Sequence, residues 1–339
     1  MTGENIELTR KPTMRDIARL AGVSQTTVSF VLNDNPNISV QESTRQAVFD
    51  SAAELGYEQA RRKRRKSAIR TIGFLIDEVA SSSLVAELFE GATDFANQYG
   101  CQLPVVITRG SQAAEEAALE AWRNTDLVGV VYSTIVTRPV TPGDKFRDIN
   151  TVLLNCHAKT SDFISVLPGE TLGGLRATTR LVEAECRDII HITGESWLEA
   201  TQKRIDGFYT GLATANIPAD EGRVYCSTFS IQGGYDNLNA ILSERDCPDG
   251  IFCGNDWIAQ GVYQALVEHG HRPGLDVKII GYDNLFFSEY MAPPLTTINL
   301  PYRDMAQLAI ELLLDAESQS STGPRQVKLP CNLVPRESA

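Results

Sequence analysis

From residue 70 onward, short apolar runs alternate with segments whose apolar residues recur at helical spacing. That alternation constrains the fold more than any other feature of the chain. A first round has apolar runs at 71–76, 103–108, 127–132 and 151–155. Its helical stretches carry Leu84, Leu88, Phe89, Ala92, Phe95 and Tyr99, then residues 112–123. A second round starts at 163–167 and continues with runs at 188–193, 224–227, 250–253 and 277–281, separated by helical stretches at 172–184, 200–215, 233–243 and 257–269. Repeated β-α units predict parallel sheets covered by helices on both faces. Two rounds of roughly 100 residues each predict two lobes of this kind. Sheets of this class take ligands at the carboxyl ends of their strands, so two facing lobes would hold a small molecule between them. Asp77, Ser133, Phe229, Asn255-Asp256 and Asp283 fall at such strand ends, and Arg204 opens a helical Arg-Ile-Asp-Gly-Phe segment.

The first 57 residues read differently. Thr13-x-x-Asp16 is a capping box that opens a helix at Met14, with Ile17, Ala18, Leu20 and Ala21 as its apolar stripe and Gly22 as its end. Ser24 caps a second helix, 25–32. A third runs over 42–55, with Val48, Ala52 and Leu55 on its apolar face and Gly56 after it. Two short helices joined through a glycine turn form a helix-turn-helix pattern. On the second helix Thr27, Val28, Val31 and Leu32 share one face, and Gln25, Thr26, Ser29 and Phe30 share the other. The first face packs; the second is free for a major groove. There Gln25 suits adenine, Thr26 and Ser29 suit bases or phosphates, and Phe30 suits a thymine methyl. The competing reading is a solvated helix face, which an outward Phe on so small a domain makes less attractive.

Net charge alone argues against nucleic acid, at −12. Its distribution reverses that. Residues 1–70 carry 12 basic and 8 acidic side chains, whereas 71–339 carry 19 and 35. A basic head on an acidic body implies a polyanion contacted at one end. The seven cysteines include no C-x-x-C pair, and the four histidines show no metal spacing, so neither metal nor cofactor is expected. Cys156 beside His157 reads as strand packing, because neighbours in a strand point to opposite faces. No G-x-S-x-G elbow, P-loop, H-E-x-x-H or strand-linked G-x-G-x-x-G is present, so catalysis is not expected. The opening Met-Thr-Gly-Glu-Asn-Ile-Glu stretch lacks the apolar core of a secretory signal, and no run approaches a membrane span. The expected place is the cytoplasm, on the nucleoid.

Met14-Arg-Asp-Ile-Ala-Arg-Leu-Ala-Gly-Val-Ser-Gln-Thr-Thr-Val-Ser-Phe-Val-Leu-Asn33, continued by Thr44-Arg45 and Glu54-Leu-Gly-Tyr57, closely resembles the headpiece of the LacI/GalR family of transcription regulators. Arg204-x-x-Gly207-Phe208, Phe252-Cys-x-Asn255-Asp256, Gly281-Tyr-Asp283, Pro293-Pro-Leu-Thr-Thr297 and Leu333-Val-Pro-Arg-Glu-Ser338 resemble its effector core. The resemblance spans essentially the whole chain. It implies an all-α helix-turn-helix head on an α/β core of two doubly wound parallel-sheet lobes, periplasmic-binding-protein-like. The expected divisions are a head at 1–57, a basic linker at 58–69, a first lobe at 70–165 and 298–327, and a second lobe at 166–297 and 328–339.

The resemblance implies base reading by Gln25, Thr26 and Phe30, with Thr13, Ser24, Ser29 and Asn33 completing the DNA-binding set. It implies that Arg204 and Asp256 clamp a ligand against Phe229, with Asp77, Ser82, Ser133 and Asp283 as further contacts. Two regions depart from the pattern. The Pro-Asn pair expected after Tyr57 is Gln59-Ala60, and Lys66 stands where a Leu wedge would enter the minor groove. The linker reads Arg61-Arg62-Lys63-Arg64-Arg65-Lys66, which suits phosphates rather than a wedge. In the first lobe, Ala80-Ser-Ser-Ser-Leu-Val85 replaces an Asn-Pro-Phe-Phe whose aromatics often face the ligand, and an Asp common near Gly169 is missing. Trp197 and Trp257 lie near the cleft in sequence, as stacking platforms or as packing. Together these features predict a repressor controlled allosterically by a small molecule, a sugar or sugar derivative. Its expected partners are palindromic operator DNA and a second copy of itself, with no membrane.

Overall fold

The computed structural model describes residues 12–33, 40–55, 57, 70–79, 83–159, 163–315 and 325–339. The chain divides into two compact units, residues 1–69 and 70–339.

In the first unit, α1 (Met14–Leu20), α2 (Gln25–Asn33) and α3 (Glu42–Glu54) enclose a small core. Ile17, Val28, Val31, Leu32, Val48 and Ala52 are all fully buried, with Met14, Val23, Val40, Phe49, Leu55 and Tyr57 packed around them. The capping box forms: the Asp16 carboxylate accepts from the Thr13 backbone N–H at 2.9 Å and from its hydroxyl at 2.6 Å. Gly22, at φ +67°, turns the chain out of α1 so that the Val23 N–H reaches the Ala18 carbonyl at 3.0 Å. Leu20, expected in the apolar stripe, is instead 46% exposed, since it stands about 160° round the helix from the buried Ala18. Gly56 lies outside the described residues.

The second unit has two sheets. The first combines β1 (Arg70–Ile76), β2 (Cys101–Gln102), β3 (Val105–Ile107), β4 (Asp126–Val140), β5 (Thr151–Ala158), β6 (Ile164–Gly169) and β12 (Arg325–Pro330) in the order β12-β6-β5-β4-β1-β2, with β3 also on β1. All of its pairings are parallel. The second has the order β13-β11-β10-β9-β7-β8, from β7 (Ile189–Thr193), β8 (Val224–Cys226), β9 (Gly250–Cys253), β10 (Lys278–Asp283), β11 (Thr296–Asn299) and β13 (Asn332–Val334). Of these six, β13 alone runs antiparallel to its neighbour. Helices α4 (Ser83–Gln98), α5 (Gln112–Trp122) and α10 (Tyr302–Leu314) serve the first lobe. Helices α6 (Glu170–Glu183), α7 (Glu199–Thr214), α8 (Ile231–Glu244) and α9 (Asp256–Glu268) serve the second. Strands such as β1, β7 and β9 are buried at nearly every position, as sheets covered on both faces require.

Several boundaries differ from those the sequence suggests. The 163–167 run, expected to start the second lobe, forms β6, which pairs with β5 and β12 and so completes the first sheet. The chain crosses between lobes after Gly169, after Asn299 and after Pro330, not at 165/166, 297/298 and 327/328. Of the run expected at 103–108 only Val105–Ile107 is a strand; Leu103 and Pro104 separate it from β2 at Cys101–Gln102, and the Pro104 carbonyl accepts from the Phe74 N–H at 3.0 Å.

The strand expected at 127–132 continues to Val140. Its pairing with β5 skips residues 134–137 and resumes at Arg138↔Cys156. Asn155, buried and at φ +57°, pins this bulge. Its amide donates to the Thr134 and Ile135 carbonyls, both at 3.0 Å, and its Oδ1 accepts from the Thr137 hydroxyl at 2.6 Å. The bulge therefore projects Ile135, Val136 and Thr137 toward the cleft.

Candidate functional site

The head presents one candidate surface. Ser24 Oγ accepts from the Thr27 N–H at 3.0 Å, which caps α2 and fixes where its first turn begins. Val28, Val31 and Leu32 then point inward, which leaves Gln25 and Thr26 exposed on the opposite side. Ser29 and Phe30 are half-buried, so Phe30 is less outward than its sequence position implies. The Asn33 side chain and Arg61, Arg62, Arg64 and Arg65 lie outside what is described.

The second candidate is a cavity of about 300 Å³ between the lobes. The second lobe contributes Glu170, Leu198, Ala200, Arg204, Phe229, Asn255, Trp257, Asp283 and Leu285. The first lobe contributes Glu78, Leu84, the bulge Ile135–Val136–Thr137, Leu300 and Tyr302. A side-chain hydrogen bond also joins the lobes: His157 Nε2 on β5 meets Glu199, the first residue of α7, at 2.9 Å.

Arg204 is the centre of the second-lobe wall. Its side chain is 4% exposed and bonds Glu170 through two nitrogens, at 2.9 and 3.1 Å. A third nitrogen donates to the Gly254 carbonyl, and Asp283 lies at 3.6 Å. The guanidinium stacks on the Tyr282 ring at 3.7 Å, with Phe229 on its cavity side at 5.7 Å. Burial opposes its charge, but Glu170 and Asp283 more than offset this and raise its pKa. Asp283 has a pKa pushed up to about 6, by burial first, with Arg204 pulling the other way. Its backbone sits at φ +95°, so the turn after β10 is held in a conformation that costs a non-glycine residue. Phe229 lies flat against Gly194, where any added methyl would strike its ring.

Asp256 does something other than line this cavity. It is fully buried at the start of α9. One carboxylate oxygen accepts from the Leu285 N–H at 2.6 Å and the other from the Thr297 hydroxyl at 2.6 Å. It thus ties α9 to the chain after β10 and to β11, against Gly281, where a Cβ would collide with it. Burial pushes its pKa up to about 8. The neighbouring Asn255 caps α9 by accepting from the Ile258 N–H at 2.8 Å, and it does face the cavity.

Of the effector residues expected from sequence, Arg204, Phe229 and Asp283 come together, whereas Asp256 sits behind the wall. Asp77 lines a separate polar cavity with Glu78, Arg109 and Arg138, where it pairs with Arg138 at 2.9 Å and accepts from the Ile135 N–H at 3.0 Å. Ser133 is buried at 1% exposure and lines neither cavity. Ser82 lies outside the described residues. Trp257 lines the cavity, at 36% exposure and 4.4 Å from the Phe287 ring; Trp197 is a surface residue. Glu170 escapes the sequence reading, although the sequence carries a signal for it. It stands directly after Gly169, beside the place where the family pattern wants an acid. Leu84, Ile135, Leu198 and Tyr302 carry no signal beyond being apolar.

Among the described residues no cluster of His, Cys, Asp and Glu could hold a metal, and no helix is long and apolar enough to cross a membrane.

Comparison with known proteins gives a consistent context. Residues 13–60 match the family model of bacterial regulatory proteins, lacI family, and residues 178–339 match that of the periplasmic binding protein-like domain. Together the two span well over half of the chain. The ribose operon repressor of Haemophilus influenzae is 29% identical over 96% of this chain and 98% of its own length. The HTH-type transcriptional repressor PurR of Vibrio vulnificus is 29% identical over the same shares. Among solved structures, the transcriptional regulator CelR in complex with cellobiose has 25% identity and a TM-score of 0.65, covering 97% of this chain and 100% of its own. The lac repressor dimer bound to operator and an anti-inducer shares the fold, with 23% identity, a TM-score of 0.67 and coverage of 97% and 99%. With its three-helix head, its two parallel-sheet lobes and relatives along its full length, the chain belongs to the lacI family of bacterial regulatory proteins.

Proposed function

We propose that this protein is a transcriptional repressor whose affinity for operator DNA is set by a small molecule held between the core lobes. The observation that carries this reading is the pairing, in one chain, of a capped helix with an exposed polar face and a walled cavity built around a buried arginine. Gln25 and Thr26 read base edges, Ser29, Phe30 and Asn33 extend the contact, and Thr13 and Ser24 hold the helix ends that aim them. Arg61, Arg62, Arg64 and Arg65 add phosphate contacts from the linker. One such head reads too few base pairs to single out a genomic site, so two copies act on palindromic half-sites. A relative named for the ribose operon and a structural neighbour that holds cellobiose support a carbohydrate-type effector. A protein of this kind works in the cytoplasm, where its DNA is, and performs no catalysis.

Selection of bound duplexes from a random pool should return a palindrome. Replacing the six basic linker residues 61–66 with Gln and Ser should flatten the salt dependence of its binding, by about 0.9 in log–log slope for each phosphate no longer neutralised. An enriched pool without symmetry, or an unchanged slope, would remove the dimeric reading or the linker's role respectively.

A further inference from the structure

We propose that the cleft selects a ring ligand without negative charge, one that offers hydroxyl or amine donors at its edge and an apolar face, and that it rejects the phosphate ester of the same ring. This deepens the ligand-sensing reading above and rests on it.

Among the described residues, the charged groups of the cavity are Glu78, Glu170 and Asp283 against a single base, Arg204. An anion entering the cavity would look first to that arginine, and its guanidinium is already committed. Glu170 takes two of its nitrogens, the Gly254 carbonyl takes the third, and Tyr282 covers one face. These bonds use three of its five N–H groups, and with the side chain only 4% exposed and Asp283 at 3.6 Å beside the rest, little of it is left for a phosphate. The cavity therefore keeps a negative excess, which a phosphate group would add to, and drawing Arg204 away from Glu170 to offset it would break a buried ion pair.

The remaining polar atoms are mostly acceptors. Asp283 sits 3.6 Å from Arg204, beyond hydrogen-bond length, and retains 11% side-chain exposure toward the cavity. Glu78 is exposed at the other side. The Asn255 carbonyl oxygen and the Thr137 hydroxyl hydrogen are already used in bonds to the chain, at 2.8 and 2.6 Å. Donors on a ligand are thus answered by carboxylates, while Phe229, Trp257 and Tyr302 supply flat apolar surface for the ring.

The test uses the full-length protein and matched pairs: ribose and ribose 5-phosphate, glucose and glucose 6-phosphate, guanosine and guanosine 5′-monophosphate. Cellobiose is an added neutral probe. Thermal shift and calorimetry should find a neutral compound that binds at least tenfold more tightly than its phosphate ester. A phosphate ester that binds as tightly as its parent would overturn the charge selection while upholding ligand sensing. Silence from every compound would overturn both.

A second measurement needs no ligand. In a Trp197→Phe variant the remaining tryptophans are the buried Trp122 and Trp257 at the cavity, so quenching reports on Trp257. Each relative to its effect on free tryptophan, caesium should quench it more than iodide, and Glu78→Gln with Asp283→Asn should bring the two quenchers together. Equal quenching in the starting variant would contradict the proposal.

Discussion

The recognition helix and the cleft hold their chemistry in opposite ways. On α2 the candidate base readers Gln25 and Thr26 stand exposed, and what is fixed is the helix beneath them, through Ser24 and a core of Val28, Val31 and Leu32. In the cleft wall the chemistry itself is buried and paired, Arg204 with Glu170, and behind it Asp256 is held by Leu285 and Thr297. The difference teaches where the counter-groups come from. DNA supplies partners for the head, so its side chains await them in water at little cost. The cleft must pair its most deeply buried charge, Arg204, before any ligand arrives, since an unpaired buried charge is expensive. Substitution should therefore separate the two: loss of function without loss of stability in the head, and loss of both in the cleft.

The largest expected effect is at Arg204. Arg204→Met strands Glu170 in the buried wall and should destabilise the core by about 3–5 kcal/mol, the cost of breaking a buried pair from one side. Denaturant unfolding measures it; a destabilisation below about 1 kcal/mol would mean that the cleft tolerates an unpaired charge and the contrast fails. Next is Gln25→Ala, which should leave unfolding unchanged within about 0.5 kcal/mol. It should also weaken operator binding by about 1–3 kcal/mol at one base position. Equal weakening on every sequence would instead make Gln25 a backbone contact.

The smallest effect is a pH dependence that sharpens the description of the cleft. Asp256 has a folded pKa near 8, raised by burial from the ordinary 3.8. The folded state then holds a proton that the unfolded state has released. The stabilising effect of that proton is complete below pH 3.8 and is lost as pH rises through 8. Core stability should fall as pH rises from about 4 to 8 and level off above, with a slope of at most about 1.4 kcal/mol per pH unit from this group. Asp256→Asn should flatten that slope and leave ligand affinity nearly unchanged, because Asp256 lies behind the wall. A variant that keeps the slope and loses the ligand would return Asp256 to the binding surface.

Much of this is legible in the sequence. Strands buried on both faces read as apolar runs, and helix starts announce themselves through Thr13, Ser24 and Asn255, whose caps depend only on residues three positions away. What sequence does not show is partnership across the fold. The 163–167 run is a strand in either lobe until its neighbours β5 and β12 are known. Asp256 and Asn255 are adjacent at a strand end, yet Asn255 faces the cavity and Asp256 turns to Leu285 and Thr297. Glu170 looks like an ordinary acid in the first turn of a helix, favourable to its dipole, until Arg204 from the next helix is seen against it. The bulge at 134–137 exists because Asn155, about twenty residues on, satisfies its carbonyls.

The central claim, that ligand and operator are coupled, is tested most directly by measuring the affinity of the full-length protein for the neutral compound found in the paired panel, with and without its selected operator duplex. Coupling predicts a change of about fivefold or more in that affinity and the same factor in operator affinity when the compound is saturating. Identical affinities in all states would contradict the account and leave a DNA-binding protein with an unrelated ligand site.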